Sequence, residues 1–295
     1  MVGPRPLVLF ASLMGAASAA LAQPMQTIDL DTGEAVRTGA SSADEAELVR
    51  IAIPELRARL PASERDGLGA RIDAAYARME ARMGPQPSIW SATVRGGPIA
   101  HYARSEPSRG ELGVVFLHGT DGAFVWPCAM IAEAARSLGG STVCPSMGLE
   151  ARWTSAEGRA RVRSAIAFLR AHGARTVILA GLSTGGAGAS RLVGSLRREL
   201  SGLVLLSGVA RSARTRVPAL VIHGSDDTMI PLAGARRFVD RSAGAELVVL
   251  DGGHFAIADH IDEVVVRLRG FFEAQLSRRG SPPDVGSLPT SPAPR

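Results

Sequence analysis

From residue 92 onward, short unbroken apolar runs alternate with stretches of helical period. The runs are Gly113–Leu117, Ser141–Cys144, Val177–Ala180, Leu203–Leu206, Ala219–Ile222 and Leu247–Leu250. They are too short for helices, rich in Val, Ile and Leu, and lack the polar alternation of a half-exposed strand. Between them, helices are predicted over Trp126–Leu138, Ser155–His172, Thr184–Leu196 and Ala233–Arg241, with a last one over roughly Ile257–Leu276. Buried strands separated by helices predict an α/β fold, a mostly parallel sheet with helices on both faces. Upstream, Ala92–Arg95 and Ile99–Ala103 flank Gly96-Gly97-Pro98 and predict a hairpin, which would put His101 in it.

The N-terminal part reads differently. Residues 23–40 are polar and turn-rich, which predicts an irregular lead-in. A helix is expected from about Ala43 to Leu60, kinked or split by Pro54. Leu68, Ile72, Tyr76, Met79 and Met83 recur at helical spacing until Gly84-Pro85 stops the run. That stripe predicts helices packed on the main domain, with cover for a binding cleft as the alternative. The division expected is an N-terminal extension with two helices over 23–90, a catalytic domain over 91–278, and a disordered tail over 279–295, where Pro and Ser dominate.

Ahead of the extension, Arg5 precedes an apolar stretch from Leu7 to Ala22, and Ala20-Leu21-Ala22 forms a small-x-small cleavage site before Gln23. Residues 1–22 therefore read as a bacterial-type signal peptide, too short for a spanning helix of about 20 apolar residues. Export, periplasmic or extracellular, follows, with no stable membrane insertion after cleavage. No Cys follows the site, which argues against lipidation. In an oxidising compartment the two cysteines, Cys128 and Cys144, become candidates for a disulfide; buried free thiols are the alternative.

Composition narrows the function. Apolar residues make up 46% of the chain, enough for a sizeable core. The formal charge of +5 invites a nucleic-acid reading, but all 33 basic residues are Arg, spread along the chain among 28 acids, and aromatics are only 4%. No nucleic-acid partner is expected. The absence of Lys excludes a Walker A loop, a Schiff-base lysine and a Ser-Lys dyad. No His or Cys cluster has metal-ligand spacing, so neither metal nor cofactor is implied.

The chemistry sits at strand ends. Val177–Ala180 runs into Gly181-Leu182-Ser183-Thr184-Gly185 and then a helix, which is G-x-S-x-G in strand–turn–helix context. The pentapeptide alone is weak; the context is what presents a serine hydroxyl above the sheet, with helix N–H groups aimed at developing negative charge. A phosphate-binding glycine loop fails here, since there is no G-K-[ST], and Arg191 stands where a third glycine is needed. A serine nucleophile needs a base and an orienting acid. His254, after the last strand on a Gly-Gly turn, is the candidate base; His172 and His260 read as surface residues. Asp226 and Asp227 follow the strand ending at Ile222, and both are open as the acid.

The stretch from about Gly113 to Leu276 resembles the α/β-hydrolase family. His118-Gly119, Gly181–Gly185, Gly224–Pro231 and Gly253-His254 match its four motifs in order, and Ser183…Asp…His254 matches its chain order. The resemblance implies Asp227 as the acid, His118 as support for the oxyanion loop, and the backbone N–H groups of Thr120 and Thr184 as oxyanion donors. It also implies a sheet order that brings Cys128 and Cys144 to one carboxyl edge, where a disulfide can form. The family's frequent cap insertion is absent: only Ser207 to Pro218 separates two strands where it would lie. The pocket is therefore open or covered by another segment, such as residues 42–84.

These readings converge on an exported serine hydrolase. It would cleave a small-molecule or lipid-like carboxylic ester through an acyl-enzyme on Ser183, His254 and Asp227. A peptidase, thioesterase or lipase on the same residues, or a non-catalytic binding protein, are the alternatives. Trp126, Met147 and Trp153 are open as either acyl-pocket lining or core.

Overall fold

The apolar runs lack alternation because both faces of their sheet are covered. Val114, Phe116, Ile178, Ala180, Val204 and Leu206 pack into one buried cluster; their neighbours Val115, Leu117, Val177, Leu179, Leu203 and Leu205 pack into another. Successive side chains point to opposite faces of a strand, so each residue in such a run must be apolar. The computed structural model describes residues 23–95, 97–105, 110–122 and 124–280. The signal peptide expected over 1–22 and nearly all of the tail expected over 279–295 lie outside the described residues.

The elements in chain order are β1 (Gln26–Asp29), α1 (Ser42–Arg59), α2 (Ala62–Arg65), α3 (Leu68–Met83), α4 (Trp90–Arg95), β2 (Ile99–Ala103), β3 (Leu112–Leu117), α5 (Val125–Arg136) and β4 (Ser141–Pro145). There follow α6 (Ala156–Ala171), β5 (Thr176–Leu182), α7 (Thr184–Leu196), β6 (Gly202–Leu206), β7 (Ala219–Gly224), α8 (Leu232–Asp240), β8 (Ala245–Leu250), α9 (Ala256–Asp259) and α10 (Ile261–Gly280). One eight-stranded sheet runs in the order β1-β2-β4-β3-β5-β6-β7-β8. From β4 to β8 every pairing is parallel; β2 pairs antiparallel with both β1 and β4. Residues of α1, α3, α5, α9 and α10 fill the cluster on one face, and those of α6, α7 and α8 fill the other.

Two expectations are corrected. The hairpin across Gly96-Gly97-Pro98 does not form: Trp90–Arg95 is the helix α4, and β2 finds its partners in β1 and in β4, some 40 residues onward. Ser88 accepts the N–H of Trp90, and Thr93 bonds back to the Ile89 carbonyl, contacts that favour a helical turn over a strand. His101 is consequently a buried residue of β2, with its ring Nε2–H donating to the Pro87 carbonyl at 2.9 Å. Residues 23–40 are also more than an irregular lead-in, since β1 forms the edge of the sheet and pairs with β2. Pro54 lies inside α1 without ending it.

The extension packs on the main body through the stripe read from its spacing. Leu68, Ile72, Tyr76, Met79 and Met83 are all buried. A buried carboxylate adds a polar joint. Glu45 of α1 accepts from the Tyr76 hydroxyl at 2.6 Å, from Ser88, and from the N–H of Val125 at 2.6 Å. Val125 opens α5, whose own N-cap residue, Phe124, makes no side-chain cap. A carboxylate from 80 residues upstream therefore serves an orphan N–H at a helix start.

Candidate active site

β5 delivers Ser183 into a turn with φ 53° and ψ −119°, a left-handed conformation that a serine holds only under constraint. The Ser183 N–H donates to the Leu206 carbonyl of β6, and α7 starts at the next residue. Gly185 permits this packing: a Cβ there would stand 2.1 Å from the Leu117 carbonyl oxygen. The result lifts the serine side chain above the carboxyl edge of the sheet.

A continuous hydrogen-bonded chain starts there. Ser183 Oγ lies 2.9 Å from His254 Nε2, and His254 Nδ1 lies 2.8 Å from Asp227 Oδ2. Asp227 ends the turn after β7, and His254 lies in the loop between β8 and α9. The other Asp227 oxygen accepts the N–H groups of Met229 at 2.9 Å and Ile230 at 2.8 Å. With the Asp227 carboxylate as acceptor, Nδ1 carries the imidazole proton and Nε2 is left to accept from the serine hydroxyl. Burial alone would raise the Asp227 carboxyl. Hydrogen bonds from His223 and His254, the attraction of His254 and the Ile230 amide outweigh it and hold the group well below the usual carboxylate range. The Asp226 side chain is exposed and accepts from the neighbouring Ser225 hydroxyl, so the geometry brings Asp227, and not Asp226, to the imidazole.

The Thr120 and Thr184 hydroxyls are 2.6 Å apart, which ties the loop after β3 to the first residue of α7, next to Ser183. A Cβ built on Gly119, just before Thr120, would be 3.8 Å from Ser183 Oγ, so that loop runs beside the Ser183 side chain. The Thr184 N–H is the first of α7 and has no acceptor within the helix. His118 holds the loop from below. Its Nδ1–H donates to the Gly119 carbonyl at 2.7 Å, and its Nε2 accepts the Met147 N–H at 2.9 Å. Burial pushes this ring down to about 4, so it stays neutral and keeps that tautomer. Trp153 is buried and donates to the His118 carbonyl at 2.9 Å; Trp126 is also buried, and Met147 packs beside the core.

Cys128, in the first turn of α5, and Cys144, in β4, form a disulfide with Cα atoms 6.1 Å apart. His172 is exposed at the end of α6, stacked on Phe168, and His260 bonds to the Asp251 carbonyl, both away from the serine. Two residues near the hydrogen-bonded chain carry no motif. His223 of β7 donates to the Ile230 carbonyl at 2.7 Å and lies 3.3 Å from Asp227 Oδ2, a second imidazole on the same carboxylate. Its place at the end of a strand, four residues before Asp227, was the available signal. Glu64 of α2, whose side chain meets the backbone of His254, left none. Among the described residues no group of three His, Cys, Asp or Glu could hold a metal ion, and no helix is long and apolar enough to cross a membrane.

Neither a protein-family model nor a curated protein sequence matches the chain. Solved structures do. Est1E from Butyrivibrio proteoclasticus superposes with a TM-score of 0.51 at 17% identity, over 61% of this chain and 94% of that one. A monoacylglycerol lipase from Paleococcus ferrophilus superposes at 0.50 and 14% identity, over 60% and 98%. A structure from the work on LipS and LipT, two metagenome-derived lipolytic enzymes, does so at 0.50 and 16%, over 59% and 97%. The chain has the α/β-hydrolase fold. The turn carrying Ser183 follows β5, the turn carrying Asp227 follows β7 and the loop carrying His254 follows β8, all at one edge of the sheet.

Proposed function

We propose that this protein is an exported serine hydrolase that cleaves carboxylic esters. The observation that carries the reading is the unbroken Ser183–His254–Asp227 chain, with links of 2.9 and 2.8 Å at the end of a strained strand–helix turn. In the reaction, His254 Nε2 takes the Ser183 hydroxyl proton as Oγ attacks the ester carbonyl. Asp227 keeps the imidazole in its tautomer and stabilises the imidazolium. The N–H groups of Thr120 and Thr184 receive the oxyanion. Collapse of the tetrahedral adduct breaks the C–O bond. The imidazolium protonates the departing alcohol, and water repeats the sequence to release the acid and free Ser183.

Two exposed apolar side chains favour an ester with an apolar portion. Leu149 is 39% exposed, and its carbonyl anchors the Asp121 N–H in the loop over the serine. Met229 is 42% exposed in the turn after Asp227. Est1E is also solved with ferulic acid bound, and other neighbours carry lipase or lipolytic names, which supports esters ahead of amides. Export is supported by the Arg5–Ala22 pattern and by the disulfide, which persists in oxidising compartments.

Fluorophosphonate labelling and a chain-length panel of nitrophenyl esters, run beside aminoacyl amides, test the proposal. The parent should label once and turn over esters faster than amides. Ser183→Ala should lose all labelling and many thousand-fold in turnover while keeping its circular dichroism spectrum. Equal labelling of parent and variant would overturn the assignment.

A further inference from the structure

Glu64 sits in α2, in the N-terminal extension, outside every motif of the hydrolase portion. Its side chain is nearly inaccessible, with 1% of the residue exposed. Both carboxylate oxygens accept one backbone N–H, that of His254, at 2.8 and 2.9 Å. The same carboxylate reaches toward the N–H of Thr228 at 3.5 Å, and the adjacent Ser63 hydroxyl lies 3.1 Å from the Thr228 hydroxyl. Thr228 directly follows Asp227. One short segment thus touches the loop carrying the base and the turn carrying the acid.

The His254 loop has reason to need this. It begins with Gly252 at φ +114°, followed by Gly253, so its backbone is intrinsically loose. Gly253 also has no room for a side chain, because a Cβ would stand 2.4 Å from both Glu64 oxygens. The carboxylate fills the space that a Cβ would take. A buried carboxylate carries a large desolvation cost unless charge-assisted bonds offset it, and here the donor is the amide of the imidazole-bearing residue itself. α2 is in turn secured by Arg65 donating to the Leu60 carbonyl at 2.7 Å, and α3 beyond it packs against α9.

We infer that Glu64 is a positioning residue for the hydrolase: it clamps the His254 backbone so that Nε2 stays aligned on Ser183, which makes the N-terminal extension part of the active-site support. This rests on the serine-hydrolase reading of Ser183 and His254. A displacement of about 1 Å in a catalytic group costs on the order of 100-fold. Glu64→Ala is accordingly expected to lower kcat roughly 10- to 100-fold with KM within about threefold.

The experiment combines kinetics, amide exchange and a double-mutant cycle on the full exported chain. In Glu64→Ala the His254 amide should exchange at least tenfold faster, while amides in β3, β5 and β6 keep their protection. Gly253→Ala, which pushes the carboxylate aside, should reproduce the kcat loss. The double variant Glu64→Ala/Gly253→Ala should lose no more than Glu64→Ala alone, because the atoms that the new Cβ would meet have gone. Glu64→Gln keeps the side-chain volume and one acceptor and should lose less, which holds the test open if the alanine variant fails to fold. An active parent whose Glu64→Ala and Glu64→Gln variants keep full kcat, or an unchanged His254 amide, would overturn the clamp. A parent inert to fluorophosphonate would overturn the hydrolase reading instead, and Glu64's role with it.

Discussion

Asp227 gathers an unusual number of donors on one buried carboxylate: the imidazole of His254, the imidazole of His223, and the N–H groups of Met229 and Ile230. Asp226, one residue away, is exposed. Asp227→Asn should therefore lower turnover by about 10⁴ by presenting the wrong hydrogen-bonding face to the imidazole, while Asp226→Asn changes turnover by less than about threefold. Steady-state kinetics on the two variants checks the ranking, and the reverse order would move the acid by one residue. Leu149 and Met229 carry the substrate prediction. Changing either to Ser should raise KM for long-chain esters more than for acetate, by about threefold to tenfold, with kcat for acetate held. Most of the serine side of this site was legible in the sequence, since G-x-S-x-G at the end of an apolar run specifies a local turn. The acid was not legible from spacing alone. Two adjacent carboxylates share the same local signals; the resemblance singled out Asp227 by its place between Gly224 and Pro231, and the fold brings that carboxylate to His254.

At the scale of elements, the disulfide joins the first turn of α5 to β4 across a sequence separation of 16. On the chain-entropy account such a bridge is worth roughly 3 kcal/mol. Reduction should lower the melting temperature by roughly 6–12 °C, read by calorimetry with and without reductant. Because α5 follows the loop holding Thr120, turnover should fall as well; alkylation of two thiols in the unreduced protein would remove the basis of this expectation. The central strands β3, β6 and β7 were readable because both of their faces are covered and nearly every position is buried, whereas β8 at the sheet edge is mostly half-buried or exposed and contains Glu246. The region before them misled for a physical reason. Gly96-Gly97-Pro98 between apolar stretches carries the signal of a turn, but the partners of β2 are β1 and β4, and non-local pairings leave no local mark. β1 was hidden likewise: a four-residue edge strand with polar neighbours has too few buried positions to show a period.

Across the whole molecule, buried ionisable groups set a pH profile. Burial holds the His101 and His118 imidazoles down at about 4, against an ordinary 6.5. Between those values the unfolded chain binds protons that the folded chain refuses, so each contributes stability that is lost as pH falls from about 6.5 toward 4. Glu45 acts in the opposite sense. Burial pushes its carboxyl up to about 7 against its bonds to Ser88, Tyr76 and Val125, so the folded state holds a proton that the unfolded state has released, and stability falls as pH rises from 4.5 to 7. Each such group contributes a slope of about 1.4 kcal/mol per pH unit. Glu45→Gln should therefore steepen the loss of stability on acidification between pH 6.5 and 4.5 by about that slope, as measured by urea melts across the range. Equal slopes in parent and variant would show that Glu45 does not titrate there. The sequence by itself determined the layered α/β architecture and the turn that carries Ser183, because apolar period and turn chemistry are local properties; the family resemblance supplied the chain order Ser183, Asp227, His254. Tertiary structure alone decided that His223 shares the carboxylate of Asp227, that Glu45 caps α5, and that Glu64 reaches His254 from 190 residues away. The Glu45 and Glu64 contacts join a buried carboxylate to a donor on a distant segment, and neither partner changes the local pattern in which it sits.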